Sequence, residues 1–179
     1  MRRIVVTGPA GAGKSELARE LGERLRIPVL HLDTMFWGPG WVPTPAEEWE
    51  ARQRRELAAG SWVVDSQFDD LLPDWLDAAD TVVFVDASLF RCLWRVGRRR
   101  LNRRASVGVP AGTQPGPLHR SLLKFVRNQW RYRRRVRKQL RDELARRRNG
   151  RRAVVVRRDA DVRALLSGVD SPGSAGGTF

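Results

Sequence analysis

The sequence predicts an α/β fold built on a parallel sheet, and three observations carry that expectation. Five short apolar runs punctuate the chain, at 4–6, 28–32, 62–64, 81–85 and 153–156. None alternates apolar with polar residues, which marks strands buried on both faces. Stretches with helical character lie between them, as an α/β layering requires. A glycine-rich turn joins the first run to the first helix.

Taken in order, the elements justify themselves locally. After the first run comes Gly8-Pro9-Ala10-Gly11-Ala12-Gly13-Lys14-Ser15, then Leu17, Leu21 and Leu25 at every fourth position, the stripe of an amphipathic helix. The second, third and fourth runs each end in a carboxylate: Asp33, Asp65 and Asp86. Between the second and third runs, Thr44 fits an N-cap, Pro45 the first helical position and Glu47 the closing residue of a capping box. Gly60 fits the stop. Ahead of that helix, MFWGPGWVP holds Phe36, Trp37 and Trp41 among glycines and prolines. These aromatics either close over the core or wall a pocket for the flat part of a substrate. Asp86 reads as the cap of the helix after the fourth run, with Ser88 competing for that role. Two basic helices follow, at 88–102 and 118–149, separated by the polar loop 103–117; Val136, Leu140 and Leu144 stripe the second. Residues 1–167 read as one domain without internal repeats, and 168–179 as a disordered tail.

The 179 residues suffice for a proper core, and seven tryptophans are many for that size. The single cysteine, Cys92, excludes an internal disulfide and fits a reducing compartment. The apolar start is too short for a signal-peptide core and no stretch approaches a membrane span, so the expected location is cytoplasmic. The net charge of +14 is unevenly placed. Residues 1–90 hold nine Lys/Arg against fifteen Asp/Glu, whereas 91–152 hold 22 against two. A block that basic attracts polyanions.

The eight residues from Gly8 to Ser15 match G-x-x-x-x-G-K-[ST] between a strand and a helix, the context that gives the motif meaning. Glycines let the backbone turn tightly and aim its N–H groups at phosphate oxygens, and the following helix adds its positive end. Lys14 is suited to β- and γ-phosphates and Ser15 to Mg2+. Lysine is otherwise rare here, three residues against 31 arginines, so a lysine at this place marks a compact point charge. The bound nucleotide is ATP or GTP. A magnesium nucleotide needs carboxylates at the carboxyl ends of the strands. Asp65 is the candidate metal carboxylate, acting through water, and Asp33 contacts metal or accepts a proton from the attacking group. Asp69 and Asp70 read as surface residues. His31 and His119 are assigned no catalytic role.

With these residues in view, the chain resembles the small P-loop proteins labelled topology modulation protein or adenylate-kinase-like. The resemblance is carried by GPAGAGKSELARELGERLRIPVLHLDTMFWGPGW, EEW, WVVD and LFRCLWRVGRRRL and covers residues 2 to 166. It implies a P-loop NTPase fold of the nucleoside-monophosphate-kinase type: a five-stranded parallel sheet with the motif strand in the middle, flanked by helices. It also implies an acceptor-binding insert at 34–60 and a mobile lid at 103–117. Adenylate kinases enter their lid through Arg-x-x-x-Arg; Arg95 and Arg99 have that spacing and share a helix face. Arg91 and Arg98 lie near it. The sequence departs from the family after the third strand, where Ser66-Gln67-Phe68 replaces Gly-Asn-Tyr and makes close approach of the backbone to a ligand harder.

Three functional readings follow. In the first, Lys14, Asp33, Arg95 and Arg99 transfer the γ-phosphoryl group of Mg-ATP to a small-molecule acceptor. In the second, a nucleotide-dependent protein binds nucleic acid through 91–152, where Trp94, Trp130 and Tyr132 interleave with arginines; a polynucleotide kinase would merge the two. In the third, the protein binds nucleotide without turnover.

Overall fold

The computed structural model describes residues 1–39, 42–67, 73–101 and 152–170, together with Trp130, Arg131, Arg134, Val136 and Lys138; for 99–101 and Asp170 only the backbone is described. Five strands form one sheet: β1 (Arg3–Thr7), β2 (Val29–His31), β3 (Trp62–Ser66), β4 (Thr81–Val85) and β5 (Arg152–Val156). Their order is β2-β3-β1-β4-β5, and every pairing is parallel. The strand before the glycine-rich turn is central, as expected. The helices are α1 (Lys14–Leu25), α2 (Leu32–Phe36), α3 (Ala46–Ala58), α4 (Pro73–Ala78), α5 (Leu89–Leu101) and α6 (Asp159–Asp170).

Strand alternation sorts the core into two layers. Ile4, Val6, Val63 and Val83 pack with Leu17 and Leu21 of α1, Cys92 of α5 and Leu165 and Leu166 of α6. Val5, Val64, Val82 and Phe84 pack on the other side with Trp49 of α3 and Trp75 of α4. Both sides of the three central strands, β3, β1 and β4, are therefore dry, which is why they read as unbroken apolar runs, whereas the edge strand β5 leaves Val155 41% exposed. Trp62 and Trp75 meet edge to face with ring centroids 5.1 Å apart in the second layer. Phe36 packs against the rings of Trp37 and Trp49, so it closes over that core. Trp41 lies outside the described residues.

Several local expectations are corrected. The second strand ends at His31, and Asp33 lies in the first turn of α2 rather than at a strand end. Thr44 does not cap α3. Its hydroxyl donates to the carbonyls of Met35 and Phe36, at 3.2 and 2.8 Å, and Pro45 stands at the N-cap position without a side-chain cap bond. A threonine offered two nearby carbonyls satisfies them instead of the helix start. Ser88, the competitor of Asp86, caps α5, accepting from the Arg91 N–H at 3.3 Å. Residues 168–170, expected in the tail, belong instead to α6, which runs to Asp170, and 171–179 lie outside the described residues. The lid loop 103–117, most of the second basic helix, Asp69, Asp70 and His119 lie outside the described residues. Among the described residues no helix is long and apolar enough to cross a membrane.

Candidate functional site

The glycine-rich loop leaves β1 and enters α1 through two left-handed glycines, Gly11 at φ +79° and Gly13 at φ +98°. Side chains disfavour that conformation. Space excludes them as well: a Cβ on Gly11 would lie 2.6 Å from the Cys92 carbonyl oxygen of α5. Gly8 through Ser15 thus form a tight turn that ends at the start of a twelve-residue helix, with the amides of its first turn unpaired within the helix.

Lys14, the first residue of α1, is only 9% exposed. Its Nζ lies 3.6 Å from Oδ1 of Asp65, which is itself 4% exposed. The register of β2 against β3 pairs His31 with Asp65. Partners on neighbouring parallel strands present their side chains to the same face, here the α1 face, and His31 Nδ1 meets Asp65 Oδ2 at 2.8 Å. Burial pushes the Asp65 carboxyl up, but the hydrogen bond from His31, the charge of Lys14 and the Ser15 hydroxyl outweigh it and hold the group below the usual carboxylate range. Asp33 shifts the other way. Burial raises it, the nearby charge of Asp65 adds to that, and Lys14 and His31 only partly oppose them. Two carboxylates in one cluster therefore differ in basicity because one has the partners and the other has the desolvation.

The structure thus brings Lys14, Ser15, Asp33 and Asp65 together and adds His31, a residue the sequence reading set aside. The signal was available: His31 and Asp65 lie at the carboxyl ends of adjacent strands, and only the register was missing. Arg95 also reaches the loop, where its Nη1 donates to the Ala12 carbonyl at 2.8 Å. Arg91 does not join it; that guanidinium pairs with both oxygens of Asp159 at 2.7 and 2.9 Å. The Arg99 side chain lies outside the described residues. Asp86 sits elsewhere, 3.7 Å from Arg157.

Ser66, the departure in the family motif, is the last residue of β3, one position on from Asp65. By alternation its side chain belongs to the opposite layer, beside Thr7 in the register. Both hydroxyls are fully buried without a hydrogen-bond partner. The serine does not crowd the face that holds Lys14 and Asp65. A separate hollow opens against α2 and α3, lined by Leu30, Met35, Glu48, Arg52 and Arg55. Its arginines are occupied, Arg52 by the Met35 carbonyl and Glu48, Arg55 by Glu56.

Magnesium prefers one or two carboxylates completed by phosphate oxygens and water, so it needs no cage of protein ligands. Among the described residues no group of three or more His, Cys, Asp or Glu forms one. Asp65 Oδ1 is buried and lacks a hydrogen-bond partner, with Ser15 beside it at the mouth of the loop. That donor set suits a magnesium nucleotide.

No family model matches the chain. A cytidylate kinase from Maridesulfovibrio salexigens is 38% identical over 58 residues, 32% of this chain, and the match spans 26% of that relative's length. The shikimate kinase of Acinetobacter baumannii, solved with shikimate, superposes with a TM-score of 0.58 at 15% identity, covering 94% of this chain and 90% of that one. The shikimate kinase of Bacteroides thetaiotaomicron gives 0.52 at 14% identity, covering 94% and 95%. The narrower resemblance to topology modulation proteins rests on sequence motifs alone. The five-stranded parallel sheet flanked by helices is the P-loop kinase fold.

Proposed function

We propose that this protein is a phosphotransferase that moves the γ-phosphoryl group of ATP, with Mg2+, to a small-molecule acceptor. The observation that carries the reading is the cluster of Lys14, Asp65 and Asp33 at the mouth of the glycine-rich loop. Around it, the amides from Gly8 to Ser15 would cradle the phosphates, and Ser15 with Asp65, the latter through water, would hold Mg2+. The metal supplies charge neutralisation on the β- and γ-phosphate oxygens. Lys14 adds a point charge where negative charge builds up during transfer, in a site dry enough for it to count. Asp33, more basic than an ordinary carboxylate, accepts the proton of the attacking group. Arg99 belongs to the same reading as a charge on the migrating phosphoryl group and Arg95 as the group that shapes the loop through the Ala12 carbonyl, and the cytidylate and shikimate kinase likenesses agree with a kinase.

The test is ADP release from Mg-ATP in the presence of nucleosides, nucleoside monophosphates, sugars, polyols and 5′-hydroxyl oligonucleotides. The expected result is an acceptor that accelerates release at least about tenfold, with the gain lost in Lys14→Ala and Asp33→Asn. No acceleration by any of them would overturn the reading. The alternative of a nucleic-acid partner for 91–152 draws on the charge of that block, on exposed Trp94 and on Trp130, whose ring lies 4.6 Å from the Arg134 guanidinium carbon. Salt-dependent duplex binding measures it.

A further inference from the structure

The arginine helix α5 and the glycine-rich loop touch along one face. A Cβ on Gly11 would lie 2.6 Å from the Cys92 carbonyl oxygen and 3.0 Å from Cγ2 of Val96, and one on Gly13 would lie 2.5 Å from Nη1 of Arg95. Arg95 fastens the contact by donating to the Ala12 carbonyl at 2.8 Å. One wall of the loop is therefore a helix, and the shape of the loop depends on where that helix stands. Arg91 lies four residues ahead of Arg95, on the same side of α5 and one turn nearer its start. Its Nη2 donates to Oδ1 and Oδ2 of Asp159 at 2.7 and 2.9 Å, across 68 positions of sequence.

The frame that carries Asp159 is firm. Leu165 and Leu166 fix α6 in the first core layer, with Leu17 and Leu21 of α1 and Cys92 of α5. The start of α6 is closed by Asp161, whose Oδ2 accepts the N–H groups of Arg157 and Arg158 at 2.8 and 2.9 Å. Two carboxylates in one turn thus have separate tasks: Asp161 satisfies backbone amides, and Asp159 faces the arginines. The charges of Arg95 and Arg163 act on Asp159 alongside its bond to Arg91. A counter-charge is needed there. Arg91, Arg95 and Arg99 recur every four residues, and like charges at that spacing repel. Residues 91–152 hold two acids against 22 Lys/Arg, and the carboxylate that meets Arg91 comes from a different element.

We propose that Asp159 is a positioning residue for the phosphate loop: through Arg91 it anchors α5, and α5 in turn holds the Ala12 carbonyl through Arg95. The loop is then shaped before a nucleotide arrives. For what the loop binds, this rests on the phosphotransfer reading. Asp159 acts through Arg91 and the backbone of α5, not on the reacting atoms.

Two measurements test it. An ion pair at the surface contributes little to overall stability, so the effect is sought in the loop. The first is the Kd for Mg-ATP, measured by calorimetry over a cycle of Asp159→Ala, Arg95→Ala and the double variant. Asp159→Ala is expected to raise Kd about threefold in the otherwise unaltered protein, and not at all once Arg95 is alanine, with the urea midpoint unmoved. Arg91→Ala should reproduce the loss, and Asp159→Glu, which keeps the charge, should recover most of it. An equal loss in both backgrounds, or no loss in either, would overturn the inference. So would tighter binding in Asp159→Ala, which would make the carboxylate a competitor of phosphate for the arginines. The second measurement needs no nucleotide. The Ala12 N–H donates to the Pro9 carbonyl at 3.1 Å inside the loop, and its hydrogen exchange reports how often the loop opens. Faster exchange in Arg95→Ala, matched in direction by Asp159→Ala, supports the inference. Exchange that Asp159→Ala leaves unmoved overturns it, even where the phosphotransfer reading stands. If the unaltered protein takes up no Mg-ATP, the phosphotransfer reading fails, and the exchange result decides whether Asp159 positions the loop.

Discussion

Residues 1–90 carry nine basic side chains against fifteen acidic, and residues 91–152 carry 22 against two. The arginine-rich block dominates the charge of the molecule, yet the candidate site is assembled from the acidic half. Lys14, His31, Asp33 and Asp65 all belong to it, and each feels the others at close range in a largely buried setting. In α5 the pattern is reversed. Arg91 binds Asp159 at the surface, Arg98 is exposed, and among the described side chains of α5 Arg95 reaches the loop, through a backbone carbonyl. A charge acts strongly where water is excluded and weakly where salt and solvent screen it. Placement by strand register, and not charge density, decides which of the described ionisable groups share this buried cluster.

Removing one member of the buried cluster should have the largest effect. Lys14→Ala and Asp33→Asn are each expected to lower phosphoryl transfer by about a hundredfold or more, read as kcat with a stimulating acceptor. Unchanged turnover in either would put the chemistry elsewhere. Arg95→Ala comes next. Because Arg95 holds the Ala12 carbonyl at 2.8 Å, its loss is expected to loosen the loop and lower ATP affinity and kcat together, each about tenfold. A fall in kcat alone would give Arg95 a role in the transition state instead of in shaping the loop.

Much of the fold is legible in the residues. The five apolar runs became the five strands, most plainly the central ones, where burial on both faces leaves little room for polar residues, and the motif strand is central as the family resemblance implied. The loop is legible as well, since two left-handed positions demand glycine and the sequence provides Gly11 and Gly13. What could not be read is lateral. That β2 lies beside β3 with His31 opposite Asp65 depends on which strands pair and in which register, and neither is encoded within six residues of His31. Thr44 was misread for a related reason. Its preferred partners, the carbonyls of Met35 and Phe36, come close only once the segment folds back onto α2.

A smaller effect tests the acidic half away from the site. Asp80 Oδ2 accepts the backbone N–H groups of Arg2 and Arg3 at 2.7 and 2.9 Å, tying the start of β1 to the entry of β4. Burial works against its charge, but those amides and the Thr81 hydroxyl prevail and hold the carboxyl below its ordinary range. A depressed carboxyl contributes stability that is present above the unfolded value, about 3.9, and is lost as pH falls through the folded value. Asp80→Asn should therefore cost under about 1 kcal/mol at neutral pH, given its exposure, and should flatten the acid limb of a urea-midpoint profile. An unchanged acid limb would show that the strand entry does not depend on this carboxylate.

The smallest effect is expected on the outer face of α5. Phe90 is 78% exposed and Trp94 64%, one helical turn apart, with Arg98 exposed on the next. Their rings lie outside both core layers, whereas Cys92, on the inner face of the same helix, is buried against the glycine-rich loop. Replacing Phe90 and Trp94 by serine removes little that water does not already touch, so each change should shift stability by no more than about 0.5 kcal/mol. Trp75→Ala, which empties a fully buried site of the second layer, should cost about 3–5 kcal/mol in the same urea titration. If Phe90→Ser or Trp94→Ser approached the cost of Trp75→Ala, the arginine helix would be packed on both faces, and its charges would belong to a desolvated surface as the site's charges do.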